Sequence, residues 1–142
     1  MSIQESKAIY SRFVEEVINQ GNFDVVEVLF SPNYLDHNLP PGAAPGLDSV
    51  KQVQSMFRNA FPDVHFTIED MVGEGDKVAT RVTGSGTHKG QFMGIAPTGK
   101  RATWSSMGFF RVSDGKIVEH WGLPDLLSLM QQLGAIPAPG QT

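Results

Sequence analysis

The apolar residues of this chain change their spacing at Pro62. Between Ile9 and Ile18 apolar pairs recur about every four residues, as expected for a helix with one buried face. From Val64 to Ile68 apolar and polar residues alternate instead, which is typical of a strand with one solvent-facing side. Helices first and long antiparallel strands afterwards predict an α+β fold. In it, N-terminal helices cover a strongly curved antiparallel sheet, and together they form a cone-shaped barrel.

Proline, glycine and helix-capping residues divide the chain into segments. Gly84 and Gly86 interrupt one long strand and suggest a β-bulge or a tight bend there. The tail, Ile136 to Thr142, is expected to be frayed. The predicted order is helices at Ile9–Ile18 and Phe23–Phe30, an irregular Pro- and Gly-rich stretch at 34–46, a helix capped by Asp48 or Ser49 and ending at Phe61, strands from Val64 to Gly73, Lys77 to His88 and Arg101 to Val112, a fourth strand after the Asp114-Gly115 turn, and a closing helix from Pro124 to Gly134.

Length and composition exclude several classes of protein. A chain of 142 residues with 40% hydrophobic and 18% charged residues is expected to be one globular domain, residues 1–142. The absence of cysteine excludes disulfides, thiolate metal sites and a cysteine nucleophile. A net charge of −4 with scattered basic residues argues against a nucleic-acid partner. Without a signal-like N-terminus or a long apolar run, we expect a cytoplasmic protein with no membrane partner.

The hairpin at Asp114-Gly115 determines which side chains share the concave face of the sheet. With a three-residue loop, 113–115, His120 faces Gly108, whereas a two-residue loop places His120 opposite Phe109. We favour the first because it pairs Val118 with Phe110. It leaves His120 beside a pit with Gly108 as its floor, and the expected ligand contacts there are Trp104, Ser106 and Phe110.

His120 is the leading candidate for acid or base chemistry, because imidazole titrates near neutrality and a strand holds its direction. The alternative is a histidine that is hydrogen-bonded within the sheet. Asp125, just beyond the strand, could orient His120 or bind substrate. The favoured alternative is an acidic residue in the first turn of a helix, where it offsets the helix dipole.

A second polar cluster lies at 36–38, among apolar neighbours. Asp36, His37 and Asn38 with Tyr34 resemble the rim of a pocket, although a turn stabilised by its own side chains would use the same residues. His88 shares the parity of the inward-facing valines of its strand and is a further candidate. No pair of histidines has a tight metal-ligand spacing, so a metal site is not expected.

Several segments together resemble the SnoaL-like polyketide cyclases of the nuclear-transport-factor-like superfamily. Each motif is short, but they occur in the expected order over most of the chain. They are Tyr34-Leu35-Asp36-His37-Asn38, Ala60-Phe61-Pro62-Asp63, Gly86-Thr87-His88-Lys89-Gly90, Pro97-Thr98-Gly99-Lys100, Asp114-Gly115-Lys116-Ile117, Glu119-His120-Trp121 and Gln132-Leu133-Gly134.

The resemblance implies cofactor-free acid/base chemistry on a carbonyl compound, such as intramolecular aldol ring closure or a related lyase or isomerase reaction. In those cyclases the acid/base is an aspartate two residues after the histidine, where this chain has Gly122. The expected activity therefore uses His120 as base, aided by Asp36, His37 or His88. The alternative is a non-catalytic binder of an apolar small molecule. An apolar sheet face carrying Met107, Phe109 and Trp121 would support a homodimer.

Overall fold

The computed structural model describes residues 1–137 and 140. It has the expected α+β architecture, with N-terminal helices on a curved, unclosed five-stranded sheet. The expected frayed tail lies mostly outside the described residues. The elements are α1 (Ile3–Arg12), which continues as a π-helical segment (Phe13–Asn19), a short 3₁₀ turn (Phe23–Val25), α2 (Val26–Leu29), β1 (Phe30–Asp36), α3 (Leu47–Ala60), β2 (His65–Glu74), β3 (Lys77–Thr87), β4 (Arg101–Ser113), β5 (Lys116–Pro124) and α4 (Leu126–Gln132).

The sheet contains a strand that the sequence did not predict. Its order is β1-β5-β4-β3-β2, and β1 runs parallel to β5 while the other pairs are antiparallel. The expectation of a purely antiparallel sheet was therefore wrong, as was the irregular structure expected at 34–36. Pro32 lies within β1, where proline is tolerated because this is an edge strand with its pairing shifted between Phe30 and Leu35.

The hairpin between β4 and β5 differs from both expected registers. Asp114 and Gly115 have φ angles of 51° and 78°, the left-handed pair of a two-residue turn that matches strand twist. The pairing then shifts between Arg111 and Val112, so that Val118 is an extra, bulged residue of β5. As a result His120 faces Phe110, rather than Gly108 or Phe109.

The bulge expected at the glycines of β3 is also absent, because β3 and β4 pair in continuous register from Lys77 to Thr87. The interruption lies in the neighbouring strand, between Ile68 and Asp70 of β2. A Cβ atom at Gly84 would lie 2.7 Å from the ring of Phe66 and 2.8 Å from that of Trp104. Glycine is used there to admit two aromatic rings against the strand.

The N-terminal helix closes the concave side of the sheet. The Ser2 side chain accepts a hydrogen bond from the Glu5 backbone N–H at 3.0 Å and caps the helix start. Tyr10 and Phe13 on its buried face pack against Phe110 of β4, with ring centroids 4.5 Å and 6.4 Å away. No helix in the described part of the chain is long and apolar enough to cross a bilayer.

Candidate active site

A cavity of about 620 Å³ lies between the helices and the concave face of the sheet. Its walls are mainly apolar and aromatic, and its polar groups are few, which is the usual composition of a small-molecule site. The aromatic wall includes Phe57, Phe66, Phe92, Trp104 and Phe110. The polar groups predicted at 36–38 and at His120 line the same cavity.

Asp36 and His120 form a hydrogen-bonded pair at one end of this cavity. They are partners in the β1–β5 pairing, and the Asp36 Oδ2 lies 2.9 Å from the His120 Nδ1. The imidazole also stacks on Phe110, with ring centroids 4.3 Å apart at 18°. One edge and one face of the His120 imidazole are thus held in place.

The other ring nitrogen of His120 is open. Nε2 has no hydrogen-bond partner among the described residues, and it is not one of the two unpartnered side-chain atoms sealed from solvent. An ionised carboxylate can only accept, so Asp36 selects the tautomer with hydrogen on Nδ1 and leaves the Nε2 lone pair toward the cavity. This is the arrangement of a general base.

The carboxyl of Asp36 is held in its ionised form. Burial raises its pKa, but the His120 side chain, the Asn38 backbone N–H and the Tyr34 hydroxyl together lower the pKa below its usual value. The Tyr34 hydroxyl donates to Oδ2 at 3.0 Å, and the Asn38 N–H donates to Oδ1 at 2.9 Å. Burial and the neighbouring charge of Asp36 raise the pKa of Tyr34 far above its ordinary value, so this hydroxyl remains a donor.

Asn38 joins the ends of the two strands that carry the pair. Its Oδ1 accepts a hydrogen bond from the Gly122 backbone N–H at 2.9 Å. The adjacent His37 backbone N–H donates to the His120 carbonyl at 3.0 Å. The segment after β1 is therefore tied to β5 at His120 and at Gly122.

The side chain of His37 is engaged elsewhere. Its ring stacks on Trp121 at 4.7 Å and 4°, and its Nε2 lies 2.6 Å from the Glu119 Oε2. Arg111 donates to the other oxygen of Glu119 at 2.8 Å. Hydrogen bonds from His37 and Arg111 lower the pKa of Glu119. Although His37 reaches the rim of the cavity, these contacts direct its Nε2 away from the Asp36–His120 pair.

Two of the predicted site residues do not line the cavity. His88 is fully buried beside Phe61, and its Nδ1 accepts a hydrogen bond from the Thr98 backbone N–H at 3.2 Å. Asp125 is the N-cap of α4, where its side chain accepts from the Ser128 N–H at 3.0 Å. The remaining predicted ligand contacts, Tyr34, Asn38, Trp104, Ser106 and Phe110, do line it.

Four polar residues of the cavity were not predicted as site residues from the sequence, namely Tyr10, Ser49, Gln54 and Thr80. Burial, partly offset by a hydrogen bond with Thr80, raises the pKa of Tyr10 to about 12. Gln54 carried a detectable signal, because it is a polar residue next to Val53 on the apolar side of α3. Within residues 1–137 and 140, no three histidine or acidic side chains are placed to hold a metal ion.

Comparisons with known proteins identify the family of this chain. The family described as SnoaL-like polyketide cyclase matches residues 8–133. Nogalonic acid methyl ester cyclase of Streptomyces nogalater is 30% identical over 82% of this chain and 88% of its own length. Aklanonic acid methyl ester cyclase DnrD of Streptomyces peucetius is 29% identical over 87% of each chain. The structure of TsrD from Streptomyces laurentii, 28% identical, superimposes with a TM-score of 0.88 over 96% of this chain and 99% of TsrD. The chain belongs to the SnoaL-like polyketide cyclase family.

Proposed function

We propose that the chain is a cofactor-free enzyme that closes a ring within a polyketide-like carbonyl compound, with His120 as its general base. The observation that carries this proposal is the state of one imidazole. Its Nδ1 is paired with Asp36 at 2.9 Å, while its Nε2 is open to an apolar cavity of about 620 Å³.

The chemistry requires one group that first takes and then returns a proton. Nε2 of His120 removes a proton from the carbon α to a carbonyl, which leaves an enolate and an imidazolium. The enolate carbon then attacks a second carbonyl of the same molecule, so that a C–C bond forms and that oxygen gains the electron pair. The imidazolium proton is transferred to this oxygen, and His120 is neutral again.

Asp36 supports both halves of this cycle. Its carboxylate orients Nδ1–H before the reaction and stabilises the imidazolium once the proton has moved. The aromatic walls hold the two reacting carbons close together, which can contribute much of the rate in an intramolecular reaction. Tyr34 and Asn38 keep the carboxylate in place through their hydrogen bonds.

The substrate class is proposed from the relatives' names together with the cavity. Two relatives are cyclases of the methyl esters of nogalonic and aklanonic acid. The wide aromatic wall and the small number of polar groups suit a flat, ring-bearing compound. Those two methyl esters are the appropriate first probes.

The test is incubation of each ester with purified protein, followed by chromatography and mass spectrometry. Ring closure is expected to yield an isomer of unchanged mass at a rate above that of buffer. His120→Ala is expected to abolish turnover while circular dichroism stays unchanged. Equal turnover by the variant and the wild type would refute His120 as the base.

A non-catalytic binder is the second candidate, and Gly122 favours it because it contributes no acid or base side chain to the cavity. Both functions predict that a small apolar molecule copurifies with the protein. They differ in the fate of an added methyl ester, which a binder returns chemically unchanged after incubation.

We also propose that the chain forms a homodimer through the convex sheet face. Met107, Phe109 and Leu123 are exposed there at 59%, 51% and 72%. Trp121 extends the same face. An apolar surface of this kind is commonly covered by a partner, and a second copy offers the same surface in return.

A further inference from the structure

The space above Gly122 is occupied by the imidazole of His120. A Cβ atom at position 122 would lie 2.5 Å from Nε2 and 2.6 Å from Cε1 of that ring, and the three atoms nearest to it all belong to His120. Residues two apart share a face of a strand, so the ring leans along β5 over the residue that follows it on the concave side. A side chain at 122 and the present ring position exclude each other.

The ring cannot move aside without loss of its partners. The His120 side chain has two torsion angles. Three sets of contacts hold the ring and the backbone that carries it. Nδ1 is bonded to Asp36 at 2.9 Å, one face is stacked on Phe110 at 4.3 Å, and the backbone of His120 is paired with both neighbouring strands. A shift large enough to admit a methyl group would lengthen the Asp36 contact or break the stack.

Gly108, directly opposite Gly122 in the pairing of β4 and β5, provides a contrast. A Cβ atom there would lie 2.3 Å from the Trp121 carbonyl oxygen and 3.0 Å from the Gly122 Cα. Those are backbone atoms of the neighbouring strand, so Gly108 serves the pairing of the sheet. The atoms that crowd Gly122 are those of one side chain only.

We infer that Gly122 is a positioning residue, whose missing side chain lets His120 keep Nδ1 on Asp36 while Nε2 faces the cavity. This inference rests on the proposed function for its catalytic meaning, but its geometry does not. Gly122 is not among the positive-φ glycines, so alanine there carries no backbone strain of its own. Gly122→Ala therefore tests the ring position alone.

The first experiment follows the imidazole by NMR of protein labelled with ¹⁵N-histidine. Wild type is expected to show the tautomer with hydrogen on Nδ1, with a protected, downfield Nδ1–H resonance. Gly122→Ala is expected to lose that resonance and to lower kcat at least tenfold with a smaller change in KM. Val118→Ala, two residues before His120 on the same strand and outside the cavity lining, is expected to keep both the Nδ1–H resonance and the wild-type kcat.

The second experiment is a double-mutant cycle in thermal unfolding, which needs no substrate and requires only that each variant unfolds cooperatively. Gly122→Ala is expected to lower Tm in the wild type, but to be neutral or stabilising in the His120→Ala background, where no ring occupies the space. An equal fall of Tm in both backgrounds would overturn the inference. So would an unchanged Nδ1–H resonance in folded Gly122→Ala protein.

The two proposals can fail separately. If wild type converts neither ester while Gly122→Ala still loses the Nδ1–H resonance, the positioning role stands and the proposed reaction does not. If wild type converts an ester and Gly122→Ala converts it at the same rate, the reaction stands and the positioning role is refuted.

Discussion

Asp36 and His120 are 84 positions apart in the chain, yet they lie directly opposite each other in the parallel pairing of β1 and β5. That pairing brings Oδ2 to 2.9 Å from Nδ1. The proposed base and the group that orients it therefore come from different strands. Because β1 is an edge strand, the site depends on the hydrogen bonds that attach it to β5.

Removal of the charge at Asp36 should cost turnover but not the fold. In Asp36→Asn an amide N–H can face Nδ1, which would favour the tautomer with hydrogen on Nε2 and so remove the base. We expect kcat to fall by roughly 10²- to 10⁴-fold, the usual contribution of general acid/base catalysis. The measurement is steady-state kinetics on a converted methyl ester.

The control for this variant is Asp70→Asn, which neutralises a largely exposed carboxylate paired with Arg81 on the sheet. It is expected to retain full turnover. A fall of less than threefold in Asp36→Asn, with unfolding behaviour unchanged, would show that Asp36 does not orient the base.

The sequence predicted the helices and the four later strands because periodicity and caps are local signals. It did not predict β1, because Ser31 and Pro32 are strand-breaking residues and the partner of β1 is far along the chain. The same limit applies to the site. Asp36 was selected as a polar residue among apolar neighbours, and His120 as an imidazole whose direction is held by a strand, but their contact depends on the strand that was not predicted. The register at His120 was predicted wrongly because the bulge at Val118 has no local signal in the sequence.

His88 should matter for stability and not for chemistry. It is fully buried with its Nδ1 bonded to Thr98, and its Nε2 has no partner among the described residues. We expect His88→Ala to leave a cavity and lower the free energy of unfolding by about 2–4 kcal/mol. Turnover per folded molecule should stay within about twofold of wild type.

Denaturant unfolding and active-site-normalised kinetics measure these two effects separately. A loss of turnover above tenfold in His88→Ala, with the free energy of unfolding nearly unchanged, would return His88 to the catalytic candidates. Thr98→Val removes the hydroxyl partner of the same ring and is expected to act in the same direction with a smaller loss of stability.

Charge on the convex face should dissociate the proposed homodimer. Phe109→Glu places a charge at an apolar side chain that is 51% exposed. Burial of such a charge without a partner is costly, so the monomer should be favoured. Sedimentation or light scattering over a range of concentrations gives the mass.

Val28→Glu is the matched control, because Val28 is similarly exposed, at 55%, but lies on α2 instead of the sheet. It is expected to leave the mass of the assembly unchanged. A monomeric wild type at high concentration, or a dimeric Phe109→Glu, would refute the interface.

Both tyrosines of the chain should resist ionisation until the protein unfolds at alkaline pH. Burial raises the pKa of Tyr10 to about 12, whereas an unfolded tyrosine titrates near pH 10. A raised folded pKa means that the unfolded state loses its proton first, so stability is retained below about pH 10 and lost as pH rises toward 12. Tyr10 alone should account for about 2–3 kcal/mol of that loss. Tyrosinate absorbance is expected to appear together with the loss of circular dichroism, and Tyr10→Phe should flatten the pH dependence. A gradual rise of tyrosinate absorbance in protein that remains folded would contradict the burial of both hydroxyls.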